Sequence, residues 1–300
     1  MDFSGFDLQL NGYGGVDFSK AGLRMDDVLR VVERLAAEGT TSFLPTIITA
    51  SNADYASALP VLADAVESSD ALPAIHLEGP FISAEDGAVG AHPKPHVQPP
   101  SIDTFRRLQD LARGHIKLVT LAPEKPGAIE LIEYLVDHDI IVSLGHTLAS
   151  SDDIANACKA GASCATHLGN GIPTQLRHTD NPIWSVLAND LTVMLIADGF
   201  HTPPDFIRAV FAAKGPERII LTSDAAPVAG LEPGEYEIFG TRVRLDPEGV
   251  VRNLNAPTLA GSAATLRQTA RHFAEVTGCD EKSLRKVSWD NAVKLMERVL

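Results

Sequence analysis

Short strand-like segments alternate along this chain with longer stretches in which apolar residues return at three- and four-residue spacing. The run at 140–144 has no polar alternation and predicts a strand covered on both faces, because a half-buried strand would alternate polar and apolar positions. The longer stretches predict amphipathic helices. Strands fall at 6–11 (FDLQLN), 41–48, 72–77, 116–121 and 140–144, then in a short run ending at His167, then at 191–197 and 218–222. Helices are predicted at 25–38, 52–67, 102–112, 128–137 and 204–214. One more lies between Ser150 and Gly161: Ser150 and Ser151 stand where an N-cap belongs, Asp152 and Asp153 suit the positive end of the helix dipole, and Gly161 closes it.

This rhythm predicts an α/β fold, a closed (β/α)8 barrel of the TIM type rather than an open sheet. Two pieces stand outside it. Residues 236–251 (YEIFGTRVRLDPEGVV) read as a β-hairpin inserted after strand eight, and 262–277 with 280–299 as C-terminal helices. No composition break marks a linker, so residues 1–300 are read as one barrel domain, and the Pro-rich stretch 92–101 as a loop over its mouth.

In such a barrel the residues that follow the strands meet in one cavity. Here they are Gln9, Asn11, Thr46, Glu78, Glu124, His146, His167, Asp198 with His201, and Asp224. A carboxylate and two imidazoles arriving from separate strands make a common ligand set for a catalytic divalent ion, and Glu78, His146 and His167 are that set. Other roles for the same residues are a salt bridge for Glu78, packing for the histidines and a helix N-cap for Asp224. Few basic residues lie near the strand ends, which weakens the salt bridge. Asp224 beside the metal is placed to move a proton from water to a leaving amine. His201 and His92, on loops, are candidates for holding polar groups of a substrate.

Composition narrows the class further. A formal charge of −14 argues against nucleic-acid binding, which needs a basic surface. Three cysteines without a CxxC pair speak against disulfides and a Cys-rich zinc site. The first residues carry no basic segment followed by an apolar run, and no stretch is apolar for the length of a bilayer, so a cytoplasmic protein with no membrane contact is expected.

Taken together, LQLNGYGGVDF at 8–18, HLEGPFIS at 76–83, GAH at 90–92, LAPE at 121–124 and LGHT at 144–147 form an ordered series. It continues with THLGN at 166–170, ADGFH at 197–201, TSDA at 222–225 and LAGSA at 259–263. The series resembles the amidohydrolase superfamily and, within it, the N-acetylglucosamine-6-phosphate deacetylases. The resemblance implies that Glu78, His146 and His167 bind one catalytic divalent ion, zinc first and Fe2+, Co2+ or Mn2+ as alternatives, and that Asp224 is the acid/base. It implies a sugar site lined by His201, His92, Ala91, Asn170, Gly171, Leu259, Ala260 and Gly261. Gln9 and Asn11 stand where many amidohydrolases carry a His-x-His pair for a second metal, which favours a single ion.

The implied substrate is N-acetylglucosamine-6-phosphate, deacetylated by a homodimer. In PTQLRHTDNP, Arg177 and His178 share the region where the family grips the phosphate with an Arg. A fork-shaped guanidinium binds phosphate in two places and a neutral imidazole cannot. An unphosphorylated N-acetyl sugar, or another amide or ester, is therefore the alternative substrate, and a catalytically dead sugar or metal sensor the reading from another class. Family members also carry a small β-sandwich built from segments on either side of the barrel, and this chain is expected to be the barrel without it.

Overall fold

The computed structural model describes residues 3–256 and 258–300. Eight parallel strands lie side by side in chain order: β1 (Gly5–Leu10), β2 (Thr40–Ile48), β3 (Ile75–Glu78), β4 (Ile116–Leu121), β5 (Ile141–Leu144), β6 (Cys164–Ala165), β7 (Thr192–Leu195) and β8 (Ile219–Leu221). The ring closes between the last strand and the first, where Asp224 N–H donates to the Gln9 carbonyl at 3.0 Å and Asn11 N–H to the Ala225 carbonyl at 2.9 Å. Buried Asp7 ties the same seam, accepting from Thr222 Oγ1 at 2.7 Å and from Ser223 N–H at 3.2 Å. The barrel expected from the apolar rhythm is the observed one.

Helices α1 (Met25–Ala37), α2 (Asn52–Ser68), α3 (Ile102–Leu111), α4 (Ala128–Asp137), α5 (Ser151–Lys159), α6 (Pro182–Ala188) and α7 (Pro204–Lys214) follow the strands. Their apolar stripes pack on the outward side chains of the sheet, such as Phe43, Ile47, Val119, Val142, Val193 and Leu221. The capping signals hold at α5, where Ser150 accepts from Asp153 N–H and the Asp153 carboxylate accepts from Ser150 N–H.

Inside the barrel the lower layer is apolar. Phe6, Leu8, Leu44, Leu118, Ile141, Met194 and Ile220 meet Ala292, Leu295 and Met296 of the last helix, which stoppers the N-terminal end of the strands. Above it runs a belt of polar side chains with one sense. His76 Nδ1–H donates to the Leu8 carbonyl at 3.0 Å, so its bare Nε2 accepts from Thr120 Oγ1 at 2.8 Å. Thr120 then accepts from Thr166 at 2.7 Å, and Thr166 from Ser143 at 2.6 Å. Burial pushes the His76 imidazole down to about 4, so the ring is neutral.

Four details differ from the expectation. Strand three starts at Ile75 rather than at 72, because Pro73 has no N–H to give a ladder. The hairpin is a three-stranded antiparallel sheet, β9 (Gly234–Ile238), β10 (Thr241–Leu245) and β11 (Val251–Asn253). Its inward Ile238, Val243, Leu245 and Val251 pack on Ala226, Val228 and Ala260. Helix α6 was not expected. The C-terminal helices begin later and break: α8 (Leu266–Thr277) starts after a Thr265 cap, and α9 (Glu281–Arg285) runs through a wider π turn at Lys286–Asp290 into α10 (Asn291–Met296). No helix among the described residues is long and apolar enough to cross a membrane.

Candidate active site

The strands end at a cavity of about 700 Å3 at the C-terminal mouth of the barrel. Buried Glu78, the last residue of β3, is its hub. Glu78 Oε1 lies 3.2 Å from His146 Nε2 and 3.0 Å from His167 Nε2, and the two imidazole nitrogens are 3.0 Å apart. His92 Nε2 stands 3.6 Å from Glu78 Oε2. Glu78, His92 and His146 form a buried group able to hold a metal ion.

For His146 and His92 the second ring nitrogen shows what the inward one presents, whereas His167 Nδ1 is buried without a partner among the described residues. His146 Nδ1–H donates to the Ala88 carbonyl at 2.7 Å, which leaves Nε2 a bare lone pair. His92 has the opposite arrangement: its Nδ1 accepts from Thr49 N–H at 3.2 Å and from Thr49 Oγ1 at 2.9 Å, so Nε2 carries the proton. His92 therefore presents a donor, and His146 a lone pair. The carboxylate oxygen and the two imidazole nitrogens at 3.0–3.2 Å make a triangle of atoms able to ligate a metal. A tetrahedral ion with ligands at about 2.0–2.1 Å has edges of roughly 3.3 Å, so this triangle fits a small divalent cation.

The backbone is bent to achieve this. His146, His167 and Asp224 adopt φ of 50°, 29° and 51°, the left-handed region that residues with a Cβ rarely enter, at a cost of about 1–3 kcal/mol each. Gly171, at φ 59°, comes so close that a Cβ there would lie 2.9 Å from His146 Nδ1 and 3.1 Å from His167 Cε1. Only glycine lets that loop cover both rings.

Asp224 Oδ1 accepts from Asn11 Nδ2 at 2.7 Å and from Gln9 Nε2 at 3.0 Å, and Gln9 Nε2 also reaches Glu78 Oε1 at 2.8 Å. The Gln9 amide thus bridges the two carboxylates, while Asn11 holds Asp224 alone. Burial, helped by the charge of Glu78, pushes Asp224 up to about 6. Burial acts on Glu78 the same way, but the bonds from His146, His167 and His92 outweigh it and hold its carboxyl well below the usual range. His92 is pushed down to about 4, by burial and then by the neighbouring His146, so it is a neutral donor. For His167 the bond and charge of Glu78 overcome burial and raise it.

Of the remaining residues singled out in the sequence, Ala91, Asn170, Gly171, His201, Leu259 and Gly261 line the cavity with Asn11. Ala260 is buried behind that wall. Arg177 and His178 are exposed and outside it, in the loop that leads to α6. No lysine or arginine among the described residues lines the cavity. Thr49, Ala88, Phe200 and Phe239 belong to the site without having been expected there. Thr49 directly follows β2 and was findable by the same rule that found Glu78, whereas Ala88 acts through a carbonyl that every residue carries.

No family model matches the chain. It is 39% identical over 295 residues to the N-acetylglucosamine-6-phosphate deacetylase of Bacillus subtilis, covering 96% of this chain and 73% of that protein. The enzyme of the same name from Homo sapiens is 35% identical over 294 residues, covering 92% and 69%. Among solved structures, a mutant of the Mycobacterium smegmatis N-acetyl-D-glucosamine-6-phosphate deacetylase in complex with N-acetyl-D-glucosamine-6-phosphate superimposes with a TM-score of 0.91 at 30% identity, over 98% of this chain and 77% of that one. The Thermotoga maritima deacetylase gives 0.87, also at 30% identity, over 98% and 78%.

Proposed function

The chain belongs to the N-acetylglucosamine-6-phosphate deacetylase family, and from that premise we propose that it hydrolyses N-acetylglucosamine-6-phosphate to glucosamine-6-phosphate and acetate, its 300 residues acting as one catalytic domain. The observation that carries this reading is the convergence of Glu78, His146, His167 and Asp224 on one point of the cavity. In this reading Glu78, His146 and His167 hold a single divalent ion, and His92, whose inward nitrogen bears a proton, does not ligate. Zinc suits an oxygen and two imidazoles, and Fe2+, Co2+ and Mn2+ are accepted by the same donors. An ion held by these residues would supply Lewis acidity toward the acetamide carbonyl and toward water, whose pKa falls from about 15.7 toward about 7 in such a site.

The rest is done by the chain. Asp224 Oδ1 is held by Asn11 and Gln9, which leaves Oδ2 to take a proton from the attacking water. His92 Nε2–H donates to the carbonyl oxygen as it gains charge, a contribution of about 3–4 kcal/mol for a well-placed donor. Asp224 then passes its proton to the leaving nitrogen as the C–N bond breaks, giving acetate and the free amine. Asn170, Gly171 and the 259–261 segment hold the sugar.

The absence of lysine and arginine from the described cavity wall supports one competitor, the same chemistry on an unphosphorylated sugar. Acetate release from N-acetylglucosamine-6-phosphate and from N-acetylglucosamine, on metal-replete enzyme, separates them. A large preference for the phosphorylated sugar is expected, and equal turnover of the two would replace the proposed substrate.

The reading carries a cytoplasmic location, because a sugar phosphate does not diffuse through a membrane. It also carries a homodimer. Phe200, which lines the cavity, and Trp184 of α6 are 47% and 59% exposed, large apolar side chains that a second copy would cover. Light scattering should return twice the 32.0 kDa of one chain; a monomer at working concentration would remove the dimer from this reading.

A further inference from the structure

Asp198 lies behind the cavity wall, with its side chain 2% exposed, and collects four hydrogen bonds. Oδ1 accepts the N–H groups of Phe200 and His201, both at 2.9 Å, which folds the loop after β7 into a tight turn. Oδ2 accepts from His201 Nδ1 at 2.7 Å and from Ser262 Oγ at 2.9 Å. Ser262 N–H in turn donates to the Asp224 carbonyl at 2.9 Å. One carboxylate therefore joins the His201 loop to the segment beside the acid/base.

A carboxylate only accepts, so His201 Nδ1 must be the protonated nitrogen. In the neutral ring Nε2 is then a bare acceptor, on a side chain that lines the cavity. The arrangement is the mirror of His92, whose bonds to Thr49 leave Nε2 as a donor. The two cavity-wall histidines outside the metal triangle thus face the substrate with opposite polarity.

We propose that Asp198 is a positioning residue for substrate recognition: it locks His201 in the tautomer whose Nε2 accepts from a hydroxyl of the sugar ring. This rests on the sugar-deacetylase reading above. A site that pairs a buried acceptor with a substrate hydroxyl rejects the analogue lacking that hydroxyl strongly, because the acceptor is left without a partner.

Asp198→Asn tests it. An Asn side chain keeps the size and still accepts at one oxygen, but its amide donates toward His201 Nδ1 and drives the proton to Nε2. Wild type, Asp198→Asn and His201→Gln are assayed on N-acetylglucosamine-6-phosphate and on its 1-, 3- and 4-deoxy analogues, with 15N NMR of His201 as the direct readout. In wild type one analogue loses tenfold or more in kcat/KM while the other two lose little. In Asp198→Asn the parent sugar loses a similar factor, the same analogue loses nothing further, and the His201 signals exchange their Nδ1 and Nε2 character. Unchanged discrimination among the analogues in Asp198→Asn, or unchanged His201 signals, overturns the proposal. So does a wild type that treats all three analogues alike. If Asp198→Asn does not fold, His201→Gln decides, because it must erase the same single discrimination. Wild type inactive on every sugar while it still binds metal would instead mean that the underlying reading fails.

Discussion

Asp224→Asn is expected to lower kcat for acetate release by about 10²–10⁴-fold, the usual range for a positioned acid/base, and at the same time to stabilise the metal-free protein. The second effect follows from the carboxyl being pushed up to about 6 from 3.8. A folded-state value above the unfolded one means that folding favours the proton. The favourable contribution is complete below about 3.8 and is lost as pH rises through about 6. At about 1.4 kcal/mol for each pH unit the ionised group then destabilises the fold by about 3 kcal/mol. Asn cannot ionise, and its side-chain oxygen still accepts from Asn11 and Gln9. Urea unfolding in chelator should show the mutant and wild type close together at pH 4 and the mutant ahead at pH 8. Equal stability at both values, or more than a tenth of wild-type activity, would refute this account of Asp224.

Glu78→Gln should empty the site. Among the described residues the Glu78 carboxylate is the one that contacts both His146 and His167, and the amide that replaces it turns an NH2 toward lone pairs or toward the cation itself. Breaking a buried charge interaction in this way costs about 3–5 kcal/mol, which is about 10²–10⁴ in metal affinity. Metal analysis after dialysis should fall from about one ion per chain to near none, and activity with it. Because an ion that binds only the folded state stabilises it, wild type should lose melting temperature in chelator and the mutant should not. A mutant that retains a full complement of tightly held metal would show that Glu78 is not a ligand.

How much of this was legible before folding depends on what each residue acts with. Glu78, His146, His167 and Asp224 meet in the cavity through side chains at the ends of strands, and both signals are written in the sequence. Strand β6 keeps only Cys164 and Ala165 in the ladder, yet His167 still marked its end. Helix α6 was missed although Asn181 before Pro182 is a cap-and-start signal, because Trp184 and its neighbours give too short a run to show a period. The Ala88 carbonyl that orients His146, and the Asp198 carboxylate that reaches across 64 positions to Ser262, leave no local trace. Arg177 reads as a phosphate ligand by its place in the chain; in the structure Thr174 and Leu176 beside it line the cavity while Arg177 itself is exposed and outside that lining.

The belt that runs from Ser143 through Thr166 and Thr120 to His76 has every O–H and N–H aimed the same way round, and it ends on a carbonyl that only receives. As a proton wire it leads nowhere: each site is already filled, and the terminus has no proton to release. The barrel interior is therefore an insulator laid between the reactive mouth and the greasy stopper beneath. Along this belt no proton passes from the mouth toward the stopper.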